Sequence, residues 1–345
     1  MRVKSVVVEG IRNLKAVSVE FTSGFNVIYG DNAQGKSSLL ESVHLLCTSI
    51  SYRTRRIADI VNWERPSGHI RGSIEVASHL HTVHVSLNSS DGKKQLVLNG
   101  KRVRPTDLLK RFPVVLVSRS VRGFVDGSQG AKRRFIDYLL FRIDGDYPLF
   151  YYRYAEILRN RNRLLRHGGA SMRGVILSLG EQMLEYGLYI SNKRRDIVDR
   201  INTFVGKMLP VSIVYESTIG SRRLSDVIDR EMGMGYSLMG PHRDKVQVLF
   251  KDKPFDKFGS SGEKELYGVL VKMAEVEVLR EHFGYWPVVI LDDVDIMMVD
   301  KSNAEVMMNY LFSVPVQVLV ATVYPEMWPR GSNLIHVRGG NTVSD

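Results

Sequence analysis

Residues 30–37 read Gly-Asp-Asn-Ala-Gln-Gly-Lys-Ser. That octet has the residue types needed to hold a polyphosphate. Gly30 and Gly35 reach backbone angles that turn successive N–H groups toward one anion. Leu39, Leu40, Val43 and Leu46 then recur at helical spacing, so a helix starts after the loop and aims its positive end at the same point. Lys36 can reach the β- and γ-phosphates, and Ser37 can ligate Mg²⁺. A strand over residues 25–29 leads in, which is the strand–loop–helix context the pattern requires. The expected ligands are ATP and Mg²⁺. The candidate binding residues are Gly30, Asp31, Asn32, Ala33, Gln34, Gly35, Lys36, Ser37 and Ser38.

The partner of such a loop is an acidic residue at the end of a buried strand. Residues 288–293, Val-Val-Ile-Leu-Asp-Asp, supply it. Asp292 is placed to hold the metal, directly or through water, and Asp293 to position or polarise the attacking water. The expected catalytic set is Lys36, Asp292 and Asp293; the expected metal set is Ser37 and Asp292. Some 255 residues separate Lys36 from Asp292, so the reading requires two distant segments to fold around one metal-triphosphate. A compact nucleotide kinase closes its site within one short domain. Here the halves bracket a large insertion, as in the heads of chromosome-maintenance ATPases.

The elements that must position these residues fall into three zones. Residues 1–117 are strand-rich, with β-type runs at 3–8, 17–21, 25–29, 70–76, 81–87, 95–98 and 114–117, and with Asn99-Gly100 signalling a hairpin. Residues 118–230 read as mostly helical, broken at Gly168-Gly169 and ending in a strand at 211–215. Residues 231–345 return to α/β, with a strand at 246–250 and a helix over 262–281. The apolar runs at 288–291 and 316–320 read as parallel strands buried on both faces. The expected fold is α/β, a P-loop ATPase head with mixed sheets, interrupted by a mainly helical second lobe.

Composition narrows the partners. The net charge of +11, from 48 basic and 37 acidic residues, favours a polyanion. Eleven Lys/Arg fall between Arg119 and Arg166 against five acids. Among them Arg153, Arg159, Arg161, Arg163 and Arg166 lie along one helix, as phosphate contacts would. No helix-turn-helix or zinc-finger pattern is present, so backbone or structure recognition is expected rather than base readout. The only cysteine is Cys47, which excludes an internal disulfide and a cysteine zinc site and fits a reducing cytoplasm. No apolar run is long enough for a membrane span. His79 and His81 share a strand face without a nearby acid, and Met297, Met298, Met307 and Met308 read as packing. Tyr147, Tyr151, Tyr152 and Tyr154 read as packing more than as base-stacking residues.

Many separate strings, in order, resemble the RecF family of bacterial recombination-repair ATPases. They are Ile11-Arg12-Asn13, the loop at 30–42, Ser51-Tyr52-Arg53-Thr54, Asn99-Gly100-Lys101, Arg133-Arg134-Phe135-Ile136-Asp137, Gly240-Pro241-His242-Arg243-Asp244, and the ABC-type signature position at 258–263. The resemblance adds Arg12, Asn13, Ser260 and Gly262 to the nucleotide site. It implies an ATP-dependent head-to-head homodimer in which the signature serine of one head completes the site of the other. It further implies weak ATP hydrolysis, single-strand/double-strand junctions of gapped DNA as the target, and RecO and RecR as partners in loading RecA. His242 is placed either to sense the γ-phosphate or to act as a hydrogen-bond hub. Three segments depart from the family pattern: Glu265 stands for an arginine, residues 295–300 replace a Ser-Glu-Leu-Asp element, and Ser118-Arg119-Ser120 replaces Ser-Pro-Glu-Asp. The alternative from the loop alone is a kinase or transferase acting on a small molecule without DNA.

Overall fold

The computed structural model describes residues 1–220, 223–295 and 301–343. The chain forms two compact units, Met1–Val121 with Val269–Asp345, and Arg122–Gly268.

The first unit opens with β1 (Arg2–Ile11), β2 (Leu14–Glu20), β3 (Phe25–Tyr29) and helix α1 (Lys36–Thr48). β4 (Ser67–Val76), β5 (His79–Asn88), β6 (Lys94–Leu98) and β7 (Lys101–Arg102) follow, then the short α2 (Pro105–Leu109) and β8 (Val114–Ser118). An antiparallel sheet takes the order β2-β1-β4-β5-β6-β7. Asn99 (φ 49°) and Gly100 (φ 78°) turn β6 into β7, the left-handed pair that a type I′ hairpin needs.

The second unit comprises α3 (Gly123–Asp126), α4 (Gln129–Ile143), α5 (Tyr147–His167), α6 (Arg173–Val205), β9 (Val211–Glu216) and α7 (Leu224–Met234). β10 (Lys245–Phe250), β11 (Lys253–Pro254), α8 (Phe255–Phe258) and the first residues of α9 (Ser261–Phe283) complete it. β10 pairs with β9, which puts it in this unit rather than with the later strands.

The first unit resumes with the rest of α9, then β12 (Val288–Asp292), α10 (Lys301–Ser313), β13 (Val318–Thr322), β14 (Asn333–Arg338) and β15 (Asn341–Val343). They build a second sheet, ordered β15-β14-β3-β13-β12-β8 and parallel except for β15. All five residues of β12 and of β13 are buried, as expected for interior parallel strands. The α/β head with mixed sheets expected from the sequence is therefore present; β14 and β15 are strands that the sequence pattern did not signal.

Helix α1 packs against both sheets, and every residue from Ser38 to Thr48 is buried. Leu39, Leu40, Val43, Leu45 and Leu46 join one core with Val6, Ile70, Ile290 and Leu319. Each such side chain contributes about 1.5–3 kcal/mol by leaving water. That burial fixes the helix, and its first turn is where the phosphate loop ends.

Candidate nucleotide site

β3 ends at Tyr29 and the loop begins at Gly30, whose φ is 142°. A Cβ there would lie 2.3 Å from the Val337 carbonyl oxygen, so β14 leaves room only for glycine. Gly35 (φ 117°) is closed in by Leu14 Cδ2, 2.7 Å from an added Cβ. Helix α1 starts at Lys36 with no side-chain cap and no acid in its first turn. Its first N–H groups and its dipole therefore remain available to an anion.

The loop is braced from outside. Asn13 Nδ2 donates to the Ala33 carbonyl at 3.0 Å, and Ser38 Oγ donates to Asn13 Oδ1 at 2.9 Å. Gln34 is held by the turn after β14: Gly339 N–H donates to its Oε1 at 2.6 Å and Gly340 N–H to its carbonyl at 3.0 Å. Lys36 Nζ donates to the carbonyls of Gly30 and Asp31 at 2.7 and 2.8 Å. Burial lowers the Lys36 pKa, and the charges of Asp295, Asp31, Asp293 and Asp292 oppose that.

Lys36 and Asp292 thus come within electrostatic reach across the whole insertion, because β12 and β3 both pair with β13. Asp292 is buried at the end of β12. Burial raises its pKa, the hydroxyls of Ser37 and Tyr52 pull it back, and the charge of Asp293 adds to the rise. Asp292 Oδ1 has no hydrogen-bond partner. A buried carboxylate oxygen without a donor is costly, and a hard cation beside a serine hydroxyl suits it chemically. Asp293 has φ 56°, a left-handed conformation that a non-glycine residue adopts at a cost.

One cavity of about 770 Å³ is lined by Arg12, Asn13, residues 32–38, Arg53, Asp293 and Asp295, among others. Its volume suits a nucleotide. Arg12 holds buried Glu41 by two bonds of 2.9 and 3.0 Å, and Arg53 approaches the same carboxylate at 3.6 Å. Glu41 lies on α1, so the helix that carries Lys36 also sets both arginines.

The RecF/RecN/SMC N-terminal domain family matches residues 2–344. The chain belongs to this family. The DNA replication and repair protein RecF of Geotalea daltonii is 28% identical over 340 residues, covering 93% of each chain. That of Geobacter sulfurreducens is 29% identical over 343 residues, again 93% of both. A solved structure of the recombination mediator protein RecF–ATPrS in the RecFOR pathway superposes with a TM-score of 0.84 at 23% identity, covering 99% of this chain and 97% of that one. A crystal structure of an SMC head bound to the C-terminal winged-helix domain of ScpA gives 0.53 at 15% identity, covering 100% and 98%. At such identities the structures speak for the fold.

The family strings of the second unit fall outside the cavity lining. Ser260 precedes α9 and Gly262 lies in its first turn; Ser260 Oγ accepts from Glu263 N–H at 3.3 Å and Glu263 accepts from Ser260 N–H at 2.8 Å, a reciprocal helix cap. Residues 240–244 form a hydrogen-bond hub. His242 engages Tyr154 Oη at 2.5 Å and the Ser237 carbonyl at 3.1 Å, one at each ring nitrogen. Asp244 accepts from Ser191, Tyr215 and Thr218. Arg161, expected on a solvent face, is instead fully buried and pairs with Glu231 at 2.6 Å. Arg153, Arg159, Arg163 and Arg166 remain accessible. Tyr147 and Tyr154 are buried while Tyr152 is exposed. Residues 296–300, with Met297 and Met298, lie outside the described residues. No described helix is long and apolar enough to cross a membrane, and no cluster of three metal-ligating side chains occurs among the described residues.

Sequence reasoning missed Asp295, Tyr52, Arg53 and Glu41. Asp295 accepts from Thr322 Oγ1 at 2.6 Å and from Val323 N–H at 3.1 Å. Its only signal was its place three residues beyond the first carboxylate.

Proposed function

We propose that the chain is an ATP-dependent DNA-binding protein of recombinational repair and replication, with nucleotide switching a head-to-head dimer. The observation that carries this reading is the convergence of Lys36, Ser37, the partnerless Asp292 oxygen and Asp293 on one braced loop. In this reading the loop N–H groups and the start of α1 hold the β- and γ-phosphates of ATP, and Lys36 turns from the loop carbonyls to them. Ser37 and Asp292 would hold Mg²⁺, which when bound would supply charge neutralisation to the phosphates. Asp293 orients the attacking water, and Arg12 and Asn13 fix the loop and its mouth.

The names of the relatives, DNA replication and repair protein RecF, support the cellular role. The net charge of +11 supports a nucleic-acid partner. Ser260 and Gly262 lie in the other unit, capped at a helix start, which suits completion of a second head's site. Glu265 in the signature helix supports slow turnover. DNA junction recognition and cooperation with RecO and RecR complete the reading, with the cytoplasm as its place.

The test is gel filtration with and without Mg·ATP for the wild type, Lys36→Arg and Asp293→Asn, followed by binding to gapped DNA. The expected result is ATP-driven dimers in the wild type, none with Lys36→Arg, and dimers trapped by Asp293→Asn. DNA affinity should fall steeply with salt as phosphate contacts release counterions. A wild type that stays monomeric at saturating ATP and ignores gapped DNA overturns the proposal.

A further inference from the structure

Trp63 is 92% exposed, the most solvent-open large apolar side chain of the described residues. Other large apolar side chains of this unit are also open to water, Leu80 and Phe312 among them, and what sets Trp63 apart is its place. It lines the same cavity as residues 32–38 of the phosphate loop. Among the described residues its ring contacts no other aromatic ring or cation.

The chain around it is fixed. Ile11 and Val61 form an isolated antiparallel bridge. Arg12 N–H donates to the Ile60 carbonyl at 2.8 Å, and Asn62 N–H donates to the Gly10 carbonyl at 2.9 Å. Asn62, itself buried, donates from Nδ2 to the Arg12 carbonyl at 2.6 Å and accepts from Glu64 N–H at 2.9 Å. Arg65 N–H returns to the Asn62 carbonyl at 3.0 Å. Trp63 is therefore bracketed by pinned residues tied to Arg12. The next residue, Asn13, braces the phosphate loop through Ala33 and Ser38. Indole and loop are two ends of one hydrogen-bonded frame.

An exposed indole on a fixed backbone, at one wall of a cavity whose other wall is the phosphate loop, has the form of a stacking platform for a planar heterocycle. We infer that Trp63 is the shelf on which the nucleobase of the bound triphosphate stacks. This rests on the nucleotide reading of the site and adds to it the base contact. Stacking uses the π-face that every base has, so the shelf strengthens binding of ATP and GTP alike.

The test is calorimetric titration of the full chain with ATP, GTP and inorganic tripolyphosphate, each with Mg²⁺. The proteins are the wild type, Trp63→Phe, Trp63→Ala and Lys36→Ala. With Trp63→Ala, ATP and GTP should each weaken about tenfold, the scale of one lost base–aromatic stack. Tripolyphosphate affinity should not move, and Trp63→Phe should keep most of the nucleotide affinity. Equal loss for all three ligands, or no loss for either nucleotide, overturns the shelf while leaving the phosphate site intact. Loss of DNA binding or of dimers with unchanged ATP affinity overturns it too and assigns the indole to those surfaces. Tripolyphosphate binding that survives Lys36→Ala overturns the nucleotide reading itself.

Discussion

The Tyr52 hydroxyl donates to Asp292 Oδ2 at 2.8 Å across 240 residues of chain. The same hydroxyl lies 3.3 Å from the Ser37 carbonyl, so one phenol links the two halves of the site. Burial, then the Asp292 charge, keeps its proton in place well above the ordinary tyrosine range. Tyr52→Phe should lower stability by about 1.5–3 kcal/mol, the scale of a hydrogen bond to a charged group. It should also raise the Mg²⁺ concentration needed for half-maximal ATP binding. Urea denaturation and a metal titration read the two effects; a variant unchanged in both would remove Tyr52 from the site.

Asp292 gives the site a pH dependence with two opposite signs. Its pKa is raised by burial above the ordinary 3.8. As pH climbs through the window just above that value, the unfolded chain has already released this proton and the folded chain has not. The contribution to stability therefore falls with rising pH there. Metal binding needs the ionised carboxylate, so Mg²⁺ affinity rises across the same window. Asp292→Asn should abolish the metal response and flatten this part of the stability curve, measured by urea midpoints from about pH 4 upward.

The buried pair Arg161–Glu231 tests how the basic second unit is built. Arg161 Nε donates to the Ile176 carbonyl at 3.0 Å, Nη1 to Ser237 Oγ at 2.6 Å and Nη2 to Glu231 Oε2 at 2.6 Å. Arg161→Met leaves Glu231 charged and buried, and should cost about 3–5 kcal/mol. The double variant Arg161→Met/Glu231→Leu should regain a large part of that. Thermal melts and double-mutant arithmetic check it. By contrast, Arg159→Ala and Arg163→Ala should leave the melting temperature unmoved, and their readout is DNA affinity.

His242 supplies an acid-sensitive limb in the same unit. Burial drops its pKa from 6.5 to about 4. Below pH 6.5 the unfolded chain takes a proton that the folded chain refuses. Stability is therefore lost as pH falls toward 4 and levels off beneath it. The loss reaches about 3 kcal/mol at most. His242→Gln should remove this slope while lowering stability at neutral pH, because the Tyr154 and Ser237 bonds are disturbed. Denaturation midpoints between pH 4 and 7 decide it.

What was legible in the sequence was local. The loop announces itself because Gly30, Gly35, Lys36 and Ser37 are contiguous and their neighbours alternate or recur with clear period. Asp292 follows from four buried apolar residues ending in charge. Tyr52, Glu41 and Asp295 were not legible, because each acts through a neighbour that strand order creates. Arg161 was misread for a related reason. An arginine on a helix looks the same in sequence whether it faces water or a buried glutamate, and Glu231 lies 70 positions away. His69 and His84, with ring nitrogens 3.4 Å apart, meet only through the β4–β5 register.

The strand that carries the phosphate loop has late neighbours. β3 lies between β13 and β14, and Gln34 is tied to Gly339 and Gly340. A chain growing on the ribosome therefore cannot shape its anion-binding loop from what has been made so far. β3 must wait, unpaired, until the residues of β13 and β14 have emerged. Slow, length-dependent acquisition of nucleotide binding during synthesis, and exposure of β3 to misassociation before then, follow directly from that order.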